Sequence, residues 1–511
     1  MLSLSQLPQE VLEHVAYFAA TRSPVGPPLD LPLLLRTCRN IYRRLSFENN
    51  PLLYARIFSS KFDSRAPLRR LGSSISLPRT LANELRKRFT YLKLIRAGVG
   101  ARVQHQSTEH DESSGRLRDL LWLAYLMMLE NDGKNERQLK AYANMETWLI
   151  DYWFDDMGAS LASYRISRDQ WPMEDENNSL AMWLLWFLVR QDSLPRSPTS
   201  CRALTSTLKL TALAANRYAI CEPSWAEFTL ESGATATNVT HFSETYFLVP
   251  PSLAPAAILA YFTFALWLLS RGATNVLPQA PSSLPLDSRE SEDWDADWQR
   301  CINLARPGTS LALSYAPGSL EGIWEGLFTY TDFDVYSSLL SGGLPPVLRN
   351  CEVVQHRQTW RLREYHLLSS QESLDKIQRL ELGDALRAFF PSSIRLRELS
   401  ESLEVCTPGM ETIHYQRSSH TRTHQQSVGD IIVIGEGHSA WGQFNLYGRV
   451  RPLDGLLSLL KEYCGGHRGR WLYRGFLLGN HDGHLSGRWR DALSPSHVEG
   501  YEGCFVMSRR H

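Results

Sequence analysis

The run Ile431-Ile-Val-Ile-Gly-Glu-Gly-His-Ser-Ala440 holds residue types that two kinds of chemistry use. Gly435-x-Gly437-x-x-Ala440 behind an apolar stretch has the outline of a dinucleotide-binding turn, where bare glycine backbone approaches a pyrophosphate. Gly437-His-Ser439-Ala-Trp441 has the outline of a nucleophile elbow, which exposes a serine on a sharp strand-to-helix turn. Both need a helix next. The succeeding residues, Trp441-Gly-Gln-Phe-Asn-Leu-Tyr-Gly-Arg-Val450, alternate with the period of a strand, and Trp441 stands where the elbow's last glycine belongs, so no catalytic residue is assigned. His414, His420, His424, His467, His481 and His484 are expected in solvated loops. They lack the helical H-x-x-x-H spacing with an acidic partner that a zinc site uses, so neither a metal nor a cofactor is expected.

A second set of residues can bind rather than react. Gly-Arg-Trp occurs at 469–471 and again at 487–489, beside Arg449, Arg451, Arg474, Arg490, Trp441 and Tyr473. Arginine forks and aromatic faces together suit an acidic or C-terminal carboxylate feature of a protein target, with Trp441, Arg449, Arg474, Arg488 and Trp489 as the contact set. The same residue types also stack across strands as plain sheet support, with glycine allowing strands to approach closely.

These side chains need a β framework, and the sequence beyond about 311 has one. Trp324, Phe328 and Tyr330 fall on one face of Gly322–Tyr330, as do Phe444, Leu446 and Val450 of the later run. Pro452-Leu-Asp-Gly455, Asn480-His-Asp-Gly483 and Ser494-Pro495 supply turns at the spacing of an up-and-down meander. Residues 372–404 read as a helical insertion. From about 61 to 305 the pattern is helical, and its clearest runs, such as Leu180–Val189, are apolar nearly all round and so must bury against one another. Ser252–Ser270 barely reaches membrane-spanning length and has Pro255 near its start, so a buried helix is the expectation and a membrane span the alternative. The acidic, proline-rich stretch 278–297 reads as a linker.

The first sixty residues form short helices punctuated by proline. Pro8 and Glu10 mark the start of the first, Leu34, Cys38, Ile41 and Leu45 line a second, and Asn50-Pro51 caps a third. A unit this small has more apolar residues than its own core can take, which leaves a surplus for a partner.

Leu7-Pro8 with Glu10, then Val11, Leu12 and Val15, and later Leu34-Leu35-Arg-Thr-Cys38 running to Tyr42, resembles the F-box. The loop from Thr21 to Pro32 is longer than that family's, and Ile41 stands where a tryptophan is common. The resemblance implies an N-terminal trihelix in which Leu7, Pro8, Val11, Leu12, Val15, Leu34, Leu35 and Cys38 dock a Skp-type adaptor, which bridges to cullin and RING subunits. The last seventy residues are similar to the terminal block of a large group of fungal F-box proteins. Trp324 in a Gly-x-Trp strand and Arg509 in the final strand resemble the pair that closes one end of lipocalin-like barrels; an open sheet or sandwich is the alternative. The implied function is that of a non-catalytic substrate receptor of an SCF-type ubiquitin ligase, and the competing one is a small-ligand barrel with a helical extension.

The expectation is therefore an α+β chain: F-box over 1–60, helical region over 61–305, antiparallel β domain over 311–511. At 511 residues, two to four units are affordable. Lysine plus arginine balances aspartate plus glutamate at 54 each, so no global field recruits nucleic acid or anionic membrane. Eight dispersed cysteines and the absence of an apolar signal core point to reduced thiols in the cytoplasm or nucleus.

Overall fold

The computed structural model describes residues 6–103, 110–194, 197–229, 233–265, 290–305, 314–370, 380–418, 426–466, 468–479 and 483–510. Four short helices open the chain: α1 (Gln9–Thr21), α2 (Asp30–Leu35), α3 (Arg39–Leu45) and α4 (Pro51–Lys61). The single helix expected across Leu34–Leu45 is two. Its break at Arg36-Thr37-Cys38 is stabilised by Cys38 Sγ, which accepts from the Ile41 N–H at 3.5 Å and caps α3. Asn50 caps α4 as expected, its Oδ1 accepting from Leu53 N at 3.1 Å with Pro51 at the first helical position. The long loop between α1 and α2 is anchored: Gly26 N donates to Gln138 Oε1 at 2.8 Å, and Gln138 Nε2 donates back to Pro24 O at 2.8 Å. Gly26 sits at φ +81°, and a Cβ there would meet the Tyr142 ring at 2.9 Å, so glycine is required on two counts.

Further helices span Pro78–Arg96, His110–Leu129, Met145–Phe154, Glu176–Leu188 and Pro198–Leu213, then comes the hairpin β1 (Thr237–His241) and β2 (Glu244–Leu248), which the helical expectation for 61–305 did not include. Of the long apolar run, Leu253–Ala260 is helical, Tyr261–Ala265 is a wider turn, and Leu253–Phe262 lies buried; the rest falls outside the described residues. No helix among the described residues is long and apolar enough to cross a membrane. The described end of the expected linker is a docked element. Ser291–Trp294 and the helix Asp295–Asn303 are held by Arg69 and Arg70, both of which donate to Asp295 at 2.7–2.8 Å.

Beyond residue 314 the chain builds an eight-stranded antiparallel barrel from β3 (Gly322–Thr331), β4 (Val353–Ser370), β8 (Gln426–Ser439), β9 (Gly442–Val450), β10 (Leu457–Tyr463), β11 (Arg470–Leu478), β12 (His484–Asp491) and β13 (Glu502–Arg509). Strands neighbour each other in chain order, and β3 closes the ring by pairing with both β4 and β13. Two short helices, Phe333–Leu340 and Pro345–Asn350, connect β3 to β4. The helical insertion expected over 372–404 is not present in its described part, which holds a 3-10 turn at Ala385–Arg387 and the strands β5 (Arg395–Glu398) and β6 (Ser402–Cys406). With β7 (Ile413–Arg417) these form a flap hydrogen-bonded to β4.

Period two sorts the barrel's side chains. Trp324, Phe328, Trp360, Leu446, Tyr473 and Phe505 fill the interior, while the outward Leu327, Phe476, Leu478, Cys504 and Val506 join the core of the helical region. That same core contains Leu12 of α1 and Phe58 of α4, so one apolar cluster runs from the first helix to the last strand.

Candidate docking face and barrel

Helix α1 is apolar on two sides. Leu12, Ala16 and Ala20, spaced by four, are buried against the other helices, while Val11, Val15 and Phe18, spaced by four and three, face solvent. Phe18 is 66% exposed. Neighbouring elements add Leu29 before α2, Leu33 on α2, Tyr42 on α3 and Leu52 on α4, all exposed. Residues 11–52 thus carry seven exposed large apolar side chains, a density that no other described stretch of that length reaches. Helix α1 touches α2, α3 and α4, which places these side chains on adjoining elements. Exposed Arg36, Arg39 and Arg43 flank them.

The docking residues read from the sequence separate into three groups. Pro8, Val11, Val15 and Cys38 are exposed, and Leu7, Leu34 and Leu35 are half-buried, with Leu34 and Leu35 packed against the core. Leu12 is fully buried and cannot meet a partner; it belongs to the core because it shares the inward stripe with Ala16 and Ala20. Arg44 clamps the start of α1 through Gln9 Oε1 at 2.7 Å and Leu7 O at 2.9 Å. No motif distinguished Phe18, Leu29, Leu33 and Leu52 in the sequence, because exposure of an apolar residue is set by what packs elsewhere.

At the other end of the chain, Arg449, Arg474, Arg488 and Trp489 are buried, which removes them from any target-facing surface. The three arginines point outward from the barrel, where residues 212–228 cross its wall. Arg488 donates to the carbonyls of Ala212 and Tyr218. Trp225 lies against both Arg474 and Arg490, at 4.2 and 5.1 Å from its ring, and Arg474 pairs with Glu502 at 2.7 Å. Arg449 bonds Asp430 at 2.8 Å and Phe389 O at 3.1 Å, over the Phe228 ring. Arg451 is gripped by Asp454 at 2.6 and 2.8 Å and reaches Ser224 O at 2.8 Å. These are desolvated, multiply bonded staples between strap and barrel. Trp489 points inward, where it meets Trp471 edge-on at 5.3 Å and donates to Thr329 O. Gly487 faces Gly475 across β11 and β12, and a Cβ on it would lie 2.0 Å from Arg474 O, so the second Gly-Arg-Trp marks a place of close strand approach. Only Trp441 of the expected contact set stays half-exposed, at the tip of the β8–β9 hairpin.

The two barrel ends differ. At one, Trp324 is fully buried and pairs across strands with Arg509 and with Trp360. The Arg509 guanidinium lies 5.0 Å from the Trp324 ring centre and donates to the carbonyls of Ser319 and Glu321, while the indole N–H donates to Leu320 O at 2.9 Å. The segment from Ser314 to Glu321 is thereby held across the opening as a plug. Glu364 completes the seal, accepting from Tyr315 Oη at 2.6 Å, Gly318 N at 2.6 Å and Leu320 N at 3.1 Å, with His366 Nε2 at 2.6 Å. Burial and the adjacent Glu364 push the Tyr315 phenol well above its ordinary range. At the other end, Trp441 packs over Phe328 and His356.

Gly435 and Gly437 lie in β8 and run into the β8–β9 hairpin, with no helix behind them. His484 is buried on β12, its Nδ1 2.9 Å from Ser508 Oγ, and not in a loop; His414 is exposed on β7, and His420, His424, His467 and His481 lie outside the described residues. No three or more histidine, cysteine, aspartate or glutamate side chains among the described residues gather as a metal site, and no cysteine forms a disulfide. No protein family, curated protein or solved structure matches the chain.

Proposed function

We propose that the chain is the substrate-receptor subunit of an SCF-type ubiquitin ligase, with its N-terminal helices as the F-box that docks a Skp-type adaptor. The observation that carries this reading is the outer face of α1, where Val11, Val15 and Phe18 stay in water although the inner face of the same helix already supplies the core. Burying three such side chains on a partner is worth several kcal/mol, at about 1.5–3 kcal/mol each. The exposed arginines beside them suit an adaptor whose groove has an acidic rim. Through that adaptor the chain reaches cullin and RING subunits in the cytoplasm or nucleus. In ubiquitin transfer it makes and breaks no bond itself and raises the local concentration of a target's lysines near the charged enzyme. With Arg449, Arg474 and Arg488 committed to the strap, the half-exposed barrel end around Trp441 is the part left for a protein target.

The test separates docking from folding. Val15→Glu with Phe18→Glu is expected to abolish co-purification of the adaptor while leaving the melting curve unchanged, because both side chains are exposed. Leu12→Ala is expected to lower stability by about 2–5 kcal/mol as an ordinary core truncation. Full adaptor binding by the double glutamate variant would reject the docking assignment.

A further inference from the structure

We propose that Lys461, inside the barrel, is a carbonyl-reactive amine, and that the barrel takes a small apolar aldehyde or ketone as an imine on it. Lys461 lies on the inner face of β10 and is 1% exposed. Its Nζ is 3.9 Å from the ring centre of Phe444, 5.0 Å from Tyr463, 5.2 Å from Phe328 and 5.4 Å from Tyr473. Its single hydrogen-bond acceptor is Gln358 Oε1 at 3.4 Å, which Tyr473 Oη shares at 3.3 Å. Among the described residues no carboxylate pairs with it, and the titratable side chains nearest it inside the barrel are Tyr463, Tyr473 and, across Phe328, His356.

A lysine kept for packing alone is expected to find a strong acceptor, as Lys61 does with Ser23 O at 2.8 Å. Lys461 has none. Burial holds its amine at about 7, so at neutral pH about half of it carries a nucleophilic lone pair. A donor without an acceptor among the described residues lies beside Tyr473. Trp360 is fully buried on the inner face of β4, its ring is 5.3 Å from that of Tyr473, and its indole N–H has no acceptor. That indole N–H is a donor for the oxygen of an unreacted carbonyl ligand, and the aromatic faces around Nζ stabilise the cation that a protonated imine is.

The step balances without a redox partner. The Nζ lone pair adds to the carbonyl carbon to form the C–N bond, both nitrogen protons pass in turn to the oxygen, and the C–O bond breaks with water as leaving group; the neutral imine then takes a proton from solvent to become the cation. Trp441, packed on Phe328 one layer above, is the side chain that a ligand must displace to enter. The proposal concerns the barrel alone and stands or falls independently of adaptor docking.

The experiment treats the full-length protein with butanal and sodium cyanoborohydride at pH 7 and maps the alkylated lysines by mass spectrometry, the chain having only eight. An ordinary lysine, with a pKa of about 10.4, is about 10³-fold poorer in free amine at this pH than one half-deprotonated. Lys461 is expected to be alkylated at least ~100-fold faster than exposed Lys93, and Trp441→Ala is expected to speed it further. Lys61, which burial also lowers, to about 8, controls for a depressed amine outside the barrel. Lys461→Met is expected to remove the adduct from that peptide. Labelling of Lys461 no faster than Lys93, in both the parent and Trp441→Ala, overturns the assignment, as does labelling of Lys61 in preference to Lys461.

Discussion

Truncating Trp324 tests the closed end of the barrel. The side chain is fully buried, donates to Leu320 O at 2.9 Å and carries the Arg509 guanidinium 5.0 Å from its ring centre. Removing a buried tryptophan costs about 3–5 kcal/mol through lost transfer energy and the cavity left behind. Leu320 O loses its donor, a further ~1 kcal/mol, and Arg509 loses an aromatic face worth roughly 0.5–2 kcal/mol. These contributions overlap, so Trp324→Ala is expected to lose about 5 kcal/mol, comparable with the whole stability of a marginal domain at ~5–15 kcal/mol. In urea, with a slope of about 2.5 kcal/mol per molar, the unfolding midpoint is expected to fall by about 2 M. Trp324→Phe, which keeps a ring but not the N–H, is expected to lose less than half of that. A Trp324→Ala midpoint within about 0.2 M of the parent would show that the plug is not held by this side chain, and the reasoning would fail.

Buried charge gives two more expected outcomes. Arg451→Met is expected to cost about 3–5 kcal/mol because it strands Asp454 inside the protein, and adding Asp454→Leu is expected to recover part of that; a double variant no better than the single would contradict the pairing, as read from thermal melts. Burial alone would raise the Glu130 carboxyl, but the charges of His241 and Arg88 outweigh it and hold the group at about 2. A carboxylate depressed in the folded state stabilises above its unfolded value near 4.3 and loses that contribution as pH falls towards 2, so the β1–β2 hairpin is expected to loosen between about pH 4.5 and 2. Amide exchange in Thr237–Leu248 that is flat across that window would refute this.

The legible parts were those whose cause is local. Alternation in Gly322–Tyr330 and Trp441–Val450, the turns at Pro452–Gly455 and Ser494-Pro495, and the Asn50-Pro51 cap each depend on a few neighbouring residues. The run after Gly435-x-Gly437 was correctly a strand for the same reason. The break of α2 from α3 was missed because a cysteine N-cap is a weak signal, and the short strands β5 and β6 were missed because four or five residues, mostly exposed in β5, give too little alternation to reveal a strand.

What the sequence determined unaided is periodicity, and with it which faces of the barrel strands point inward. It could not decide the partners of the arginines: Arg488 meets Tyr218 across 270 residues and Arg451 meets Ser224 across 227, and nothing near either arginine encodes that strap. Nor could it separate Leu12 from Val11 and Val15, since α1 is apolar on both sides. Burial is a property of the whole packing, so only the tertiary structure assigned one side of that helix to the core and left the other in water.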